Sequence, residues 1–239
     1  MPPSPPTILA IDTAADVCSV ALARAGRIVE ECETVGHRHS ERVLPMVRAL
    51  LDAAGIDLAD CDALAFGAGP GAFTGLRIAC GVVQGLAYGA GRPVIAVGNL
   101  EALAAAALRA HPQVQRVLCA NDARMQEAYV AVYRRSGDDL EELAAPALAA
   151  AVDLGALIEQ WTPDLVAGEA PTAYPDQFAA APATRVVALR ATAAAVCDRA
   201  LIRWAAGERT DPARAAPLYV RNHVALTIEE RRARQGQSA

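Results

Sequence analysis

Apolar residues run without interruption through positions 7–12 and stop on Asp12, which predicts a buried strand ending in an acid. A second strand is predicted at 17–23 and a third, with rough alternation, at 27–33; Ala25-Gly26 supplies the turn between them. From residue 40 the spacing becomes helical. Val43, Val47, Leu50 and Ala54 recur with a 3.6-residue period, and Leu44, Met46 and Leu51 widen the apolar face. Ser40 is the predicted N-cap, Glu41 in the first turn suits the helix dipole, and Pro45 either starts or kinks this helix. A strand at 62–66 leads into a helix over 74–88; a strand at 93–97 leads into an alanine-rich helix over 99–109. Strand pairing then restarts, at 115–120 and again before Tyr133, with a further strand at 164–168 and a helix over 191–206 closed by Gly207; residues 217–222 end the ordered chain. This restart predicts two halves, 1–110 and 111–239. The Pro-rich leader 1–6 and the charged tail 226–239 are expected to be disordered.

Between the fourth strand and its helix lies Phe66-Gly67-Ala68-Gly69-Pro70-Gly71-Ala72-Phe73-Thr74-Gly75-Leu76-Arg77. Four glycines permit close backbone approach, and Pro70 makes this a shaped turn. A strand, a glycine-rich turn and a helix start can aim N–H groups at an anion. No Gly-Lys-Ser/Thr follows, however, and the spacing is not G-x-G-x-x-G. Asp12, Gly69, Gly71, Thr74 and Gly75 therefore stand as candidates for either a phosphate-holding turn or a purely structural one. Downstream, Gly81, Gly85 and Gly89 form a stripe whose helical cost implies close approach of another element.

Composition narrows the chemistry. The chain is 54 % hydrophobic with only 4 % aromatic residues, so its core is expected to use aliphatic strands and small helix contacts. All 22 basic residues are arginine, which excludes lysine-based catalysis, and a net charge of −5 argues against a standalone nucleic-acid binder. The arginine run near the C-terminus is a candidate RNA contact all the same. Six scattered cysteines without a C-x-x-C pair suit reduced, buried positions in the cytoplasm. No apolar run is long enough to span a bilayer, and the leader is not a signal peptide. His37 and His39 do not share a helix face as an H-x-x-x-H pair would.

A first strand ending in Asp and followed by a hairpin resembles the start of the actin, hexokinase and Hsp70 fold. There a glycine usually follows the Asp by two residues; Ala14 stands in that place. The resemblance then extends further. Ile8 to Thr13, Cys18 to Leu22, His39-Ser40-Glu41-Arg42, Gly69 to Arg77, Asp122-Ala123-Arg124-Met125 and Pro217-Leu218-Tyr219-Val220-Arg221 are similar to bacterial TsaB proteins. Ala72, where serine is usual, and Gln126, where glycine is common, depart from that pattern.

The resemblance implies an α/β, actin-like (ASKHA, ribonuclease H-like) fold of two lobes, each a mixed sheet flanked by helices. It implies a non-catalytic subunit that pairs with a threonylcarbamoyl transferase paralogue (TsaD-like) and a small P-loop ATPase (TsaE-like). Together these form threonylcarbamoyladenosine beside the anticodon, so tRNA is met only through the complex. No cofactor is expected. The paralogue's two metal-binding histidines would fall on Asn99 and Leu103, so no metal site is expected either. Self-association of the isolated chain and a partner surface on the helices 40–54 and 74–88 are expected, with Glu41, Leu44, Val47, Leu51, Arg77, Ile78, Gly81 and Gly85 as its residues. An active ATPase or sugar kinase of the same fold, and a metallopeptidase-like hydrolase, are the alternatives. Ala14 and the missing lysines weigh against the first, and the lack of a ligand cluster against the second.

Overall fold

A computed structural model describes residues 5–178 and 185–221. The expected tail, most of the leader and Asn222 lie outside them.

The first lobe opens with β1 (Ile8–Asp12), β2 (Val17–Arg24) and β3 (Arg27–Thr34), an antiparallel meander whose second turn, Ala25-Gly26, has positive φ at both residues. Helix α1 (His39–Ala54) follows, then β4 (Ala63–Gly69), α2 (Phe73–Ala90), β5 (Val94–Gly98) and α3 (Asn99–Ala110). Strand order is β3-β2-β1-β4-β5, with β4 and β5 running parallel to β1. The second lobe carries β6 (Arg116–Asp122), β7 (Glu127–Ser136), β8 (Asp139–Ala150), α4 (Leu154–Trp161), β9 (Leu165–Ala167), α5 (Ala170–Ala173) and β10 (Arg185–Val187). Its order is β10-β9-β6-β7-β8, so the same plan of three antiparallel and two parallel strands is used twice. The last helix is α6 (Ala193–Ala205).

Alternation along β1 assigns the two faces of the first sheet. Leu9 and Ile11 meet Val43, Met46, Val47, Leu50 and Leu51 of α1 and Ala79, Cys80, Val83 and Ala87 of α2. Ile8 and Ala10 face Ala193, Val196, Cys197 and Ala200 of α6. Each large aliphatic side chain fully buried here contributes roughly 1.5–3 kcal/mol. In the second sheet, Val117 and Cys119 pack on α3, whereas Leu118 and Ala120 pack on α4 and α5.

Two helices therefore change partners. Helix α3 follows the first sheet but packs on the second; α6 follows the second sheet but packs on the first. The sequence division at residue 111 thus leaves α6 against the sheet of the other half. A buried ion network joins the pair. Arg199 Nε and Arg203 Nη2 donate to the two oxygens of Glu101 at 2.8 and 2.6 Å, and Arg199 Nη1 reaches Asp139 at 2.7 Å.

Helix α1 departs from expectation at its start. It begins at His39 with Arg38 at the cap and no side-chain cap bond, so Ser40 is inside the helix and not its N-cap. Arg38 O accepts from the N–H groups of Glu41 and Arg42 at 3.1 Å. Pro45 lies inside the helix beyond its first turn, where it has no N–H to offer Glu41 O.

Candidate functional site

A cleft of about 680 Å³ opens between the lobes. Its first-lobe wall is made by the β1–β2 loop, the glycine turn and the start of α2; its second-lobe wall is made by the turn after β6.

Asp12 forms the floor. Its Oδ1 accepts from Ala14 N at 2.7 Å and its Oδ2 from Asn99 Nδ2 at 2.6 Å, while Asn99 Oδ1 accepts from Gly69 N at 2.6 Å. Burial pushes the Asp12 carboxyl up to about 7, and the charge of Glu30 adds to this. The two hydrogen bonds favour the charged form, but desolvation outweighs them.

The glycine turn is fitted onto that floor. A Cβ on Gly67 would lie 2.7 Å from Asp12 Oδ2, and one on Gly71 would lie 2.8 Å from Ala14 Cβ. A Cβ on Gly75 would collide with Thr13 O, and Thr13 Oγ1 donates to Gly75 O at 2.7 Å. Gly69 has φ of +120°, and a Cβ there would meet Leu218 O at 2.6 Å. Ala72 N also donates to Ala14 O at 2.7 Å. Each of these glycines is thus required by the chain's own packing. Thr74 is exposed and lines the cleft.

On the second wall, Asp122 Oδ1 accepts from Tyr174 Oη at 2.6 Å and from Arg124 N at 2.8 Å. Burial and the Asp122 bond push the Tyr174 hydroxyl up to about 12. Arg124, Met125 and Gln126 follow with φ of 64°, 57° and 60°, three consecutive left-handed residues without a glycine among them. Such runs cost roughly 1–2 kcal/mol per residue. Arg190 spans the gap, meeting Asp16 of the first lobe at 2.7 Å and Glu169 of the second at 2.5 Å.

The positions matching the paralogue's metal ligands are otherwise engaged. Asn99 uses both amide atoms on Asp12 and Gly69, and Leu103 is fully buried in the core. These residues do not fit a metal centre. His37 is exposed at the cleft, while His39 is buried with Nε2 lacking a partner among the described residues.

The residues expected on a partner surface divide. Glu41, Leu44, Arg77, Gly81 and Gly85 are exposed and Ile78 is half-buried, but Val47 and Leu51 turn inward into the lobe's own core. Val47 and Leu51 are consumed by the first sheet and by α2, which leaves Leu44 as the exposed large apolar residue of α1. Added Cβ atoms at Gly81, Gly85 and Gly89 would meet nothing within 4 Å, so the stripe faces outward. Tyr88 beside it is 79 % exposed.

Sequence reading missed three members of this region. Asn99 has a signal, a polar residue straight after the apolar strand at 93–97. Tyr219 stands in the block 217–221, but its contact with Arg77 spans 142 residues, and Arg190 has no signal for its bond to Asp16, 174 residues away.

The doubled sheet plan and the cleft between its two copies define an actin-like protein. Lmo2764 from Listeria monocytogenes, a candidate N-acetylmannosamine kinase, superposes with a TM-score of 0.50 at 11 % identity, over 84 % of this chain and 99 % of its own, a likeness of fold alone. A Pseudomonas aeruginosa protein with similarity to peptidase YeaZ superposes with a TM-score of 0.81 at 39 % identity, over 90 % of this chain and 100 % of its own. The family model described as TsaD, tRNA N6-adenosine threonylcarbamoyltransferase, matches residues 31–199. The tRNA threonylcarbamoyladenosine biosynthesis protein TsaB of Haemophilus influenzae is 48 % identical over 123 residues, 52 % of each chain. The match spans about half the length of such curated relatives. The chain belongs to the TsaB family, among the proteins that the TsaD model describes.

Proposed function

We propose that this chain is a non-catalytic subunit in threonylcarbamoyladenosine formation on tRNA, working in the cytoplasm as the structural partner of a TsaD-like transferase. One observation carries the reading: the outward face of α1 and α2, where Leu44 and Tyr88 are exposed and the Gly81–Gly85 stripe is left open. Exposed apolar residues beside a bare backbone stripe suit the close docking of a second helix pair. Asn99 and Leu103, tied into the fold, support a role without metal chemistry of its own. The small P-loop ATPase and tRNA join through the assembled complex, and the same face serves self-association when the transferase is absent.

The test is affinity for the transferase subunit of the same cell. Gly85→Leu and Leu44→Glu should each weaken binding by a few kcal/mol, through overpacking and through an unpaired buried charge. Both positions are exposed, so a melting temperature no lower than that of the wild type certifies the fold. Leu51→Glu is unsuitable for this purpose, because Leu51 belongs to the core. Unchanged affinity in folded variants, or threonylcarbamoyl transfer by the chain alone, would overturn the reading.

A further inference from the structure

Residues 217–221 leave the body of the first lobe and run across the cleft mouth. Their root is held by α2, where Gln84 Nε2 donates to Ala215 O at 2.9 Å. Leu218 N then donates to Ala68 O at 2.7 Å, and Leu218 O lies against Gly69. The Tyr219 ring stands 5.6 Å from Phe73, its hydroxyl accepts from Arg77 Nε at 3.0 Å, and the Arg77 guanidinium lies 3.9 Å over Phe73. Two residues later the chain has changed lobes. Arg221 Nη2 donates to Ala123 O at 3.1 Å and pairs with Glu127, and its Nη1 approaches Met125 Sδ at 3.7 Å.

Ala123 and Glu127 flank the three left-handed residues Arg124, Met125 and Gln126. Ala123 N donates to Glu127 O at 2.9 Å, and Glu127 N donates to Arg124 O at 3.0 Å, so the turn is closed at its neck. Arg221 grips both sides of that neck from outside. A strained turn persists where its surroundings over-determine it, and here one of the restraints comes from a segment anchored on the other lobe. The anchor itself is reachable: Phe73 and Tyr219 are 41 % and 43 % exposed at the first turn of α2.

We propose that residues 217–221 are a strap that couples the first turn of α2 to the left-handed turn 124–126, so that an event at Phe73, Arg77 or Tyr219 changes the order of the second-lobe turn. The coupling is a property of the isolated chain and holds whether or not the α1–α2 face docks a transferase. It is also reciprocal, as any coupling between two sites must be.

Hydrogen exchange of the full chain, read on peptides covering 123–127 and 73–77, tests this. Arg221→Gln removes the grip directly and should speed exchange at 123–127 about tenfold, the loss of one charge-assisted restraint. Tyr219→Ala, at the first-lobe end, should speed the same peptide by a similar factor, and Tyr219→Phe by less. The double variant Tyr219→Ala with Arg221→Gln should add nothing to Arg221→Gln alone, because both act on one connection. Glu127→Gln should in turn speed exchange at 73–77. Tyr219 and Arg221 hold no core position, so these variants keep the fold. If Tyr219→Ala leaves 123–127 within twofold of wild type, or if the two effects multiply, the two contacts are independent and the strap does not couple the lobes.

Discussion

Asn99 Nδ2 donates to Asp12 Oδ2 at 2.6 Å across 87 residues of sequence, and the same side chain accepts from Gly69 N. One amide thus binds the end of β1, the glycine turn and the start of α3 into a single buried knot. Its carboxylate is expensive to ionise. Asp12 holds a proton in the folded state up to a pH of about 7, whereas an unfolded carboxyl releases it near 3.8. Between those values the folded chain binds more protons than the unfolded one, so stability falls as pH rises through this window and levels off above about 7. The slope from this group alone is about 1.4 kcal/mol per pH unit at its steepest. Asp12→Ala should erase it. Urea denaturation at several pH values from 5 to 8, taken as the wild-type minus variant difference, should therefore decline with pH; parallel curves would show that Asp12 is ionised throughout.

The Glu101 network makes a second, ordered prediction. Glu101 receives both arginines with its side chain 11 % exposed, and Arg199 is 8 % exposed, whereas Arg203 retains 29 %. Glu101→Gln leaves Arg199 with only Asp139 and should cost roughly 3–5 kcal/mol. Arg203→Ala leaves Glu101 paired with Arg199 and should cost less than half of that. Thermal unfolding of both variants checks the order. Equal losses would mean that the network carries no more than its exposed members do.

Gln126 offers a gain. It is the last of three left-handed residues at the second-lobe turn, where a side chain costs roughly 1–2 kcal/mol. Gln126→Gly removes that strain and returns part of the benefit as chain entropy, roughly 0.5–1 kcal/mol. The net expectation is a stabilisation of up to ~1 kcal/mol, read as a rise in denaturation midpoint with an unchanged m-value. A fall in midpoint would show that the glutamine side chain holds the turn by a contact worth more than its strain.

How far such features can be read in advance depends on whether they are local. Strands β1, β2 and β4 of the first sheet announce themselves because their apolar runs are buried on both faces. The helix at 74–88 does so because a glycine turn precedes it. Strand β8 does not: Leu-Glu-Glu-Leu-Ala-Ala-Pro-Ala-Leu-Ala-Ala has no period-2 signal and contains Pro146, and its extended form comes from pairing with β7. The glycine turn is legible from its four glycines, but the contacts of Ala14 with Gly71 and of Thr13 with Gly75 are not. Val47 and Leu51 lie in one stripe with Leu44 in sequence, and only the position of the sheet separates inward from outward. The exchange of α3 and α6 between lobes, and the crossing of the cleft by Tyr219 and Arg221, join segments about a hundred residues apart, a distance over which periodicity says nothing.

The glycine stripe of α2 allows a prediction with two readouts of opposite sign. Gly81 and Gly85 lie inside a helix, where each costs about 1 kcal/mol relative to alanine. Added Cβ atoms there would meet nothing within 4 Å, so Gly81→Ala and Gly85→Ala should each raise the stability of the isolated chain by about that amount. Gly75→Ala in the same helix is the contrast: its Cβ would drive into Thr13 O, and a loss of roughly 1–3 kcal/mol or more is expected. If the stripe exists to let another helix approach the backbone, the stabilising substitutions at Gly81 and Gly85 should at the same time lower affinity for the proposed transferase partner, because the added methyl group holds the facing helix away. Melting curves of the free chain and titrations against the partner separate the cases. Higher stability with unchanged affinity would remove the stripe from the interface, and lower stability would mean that this face of α2 is packed in solution against the chain itself.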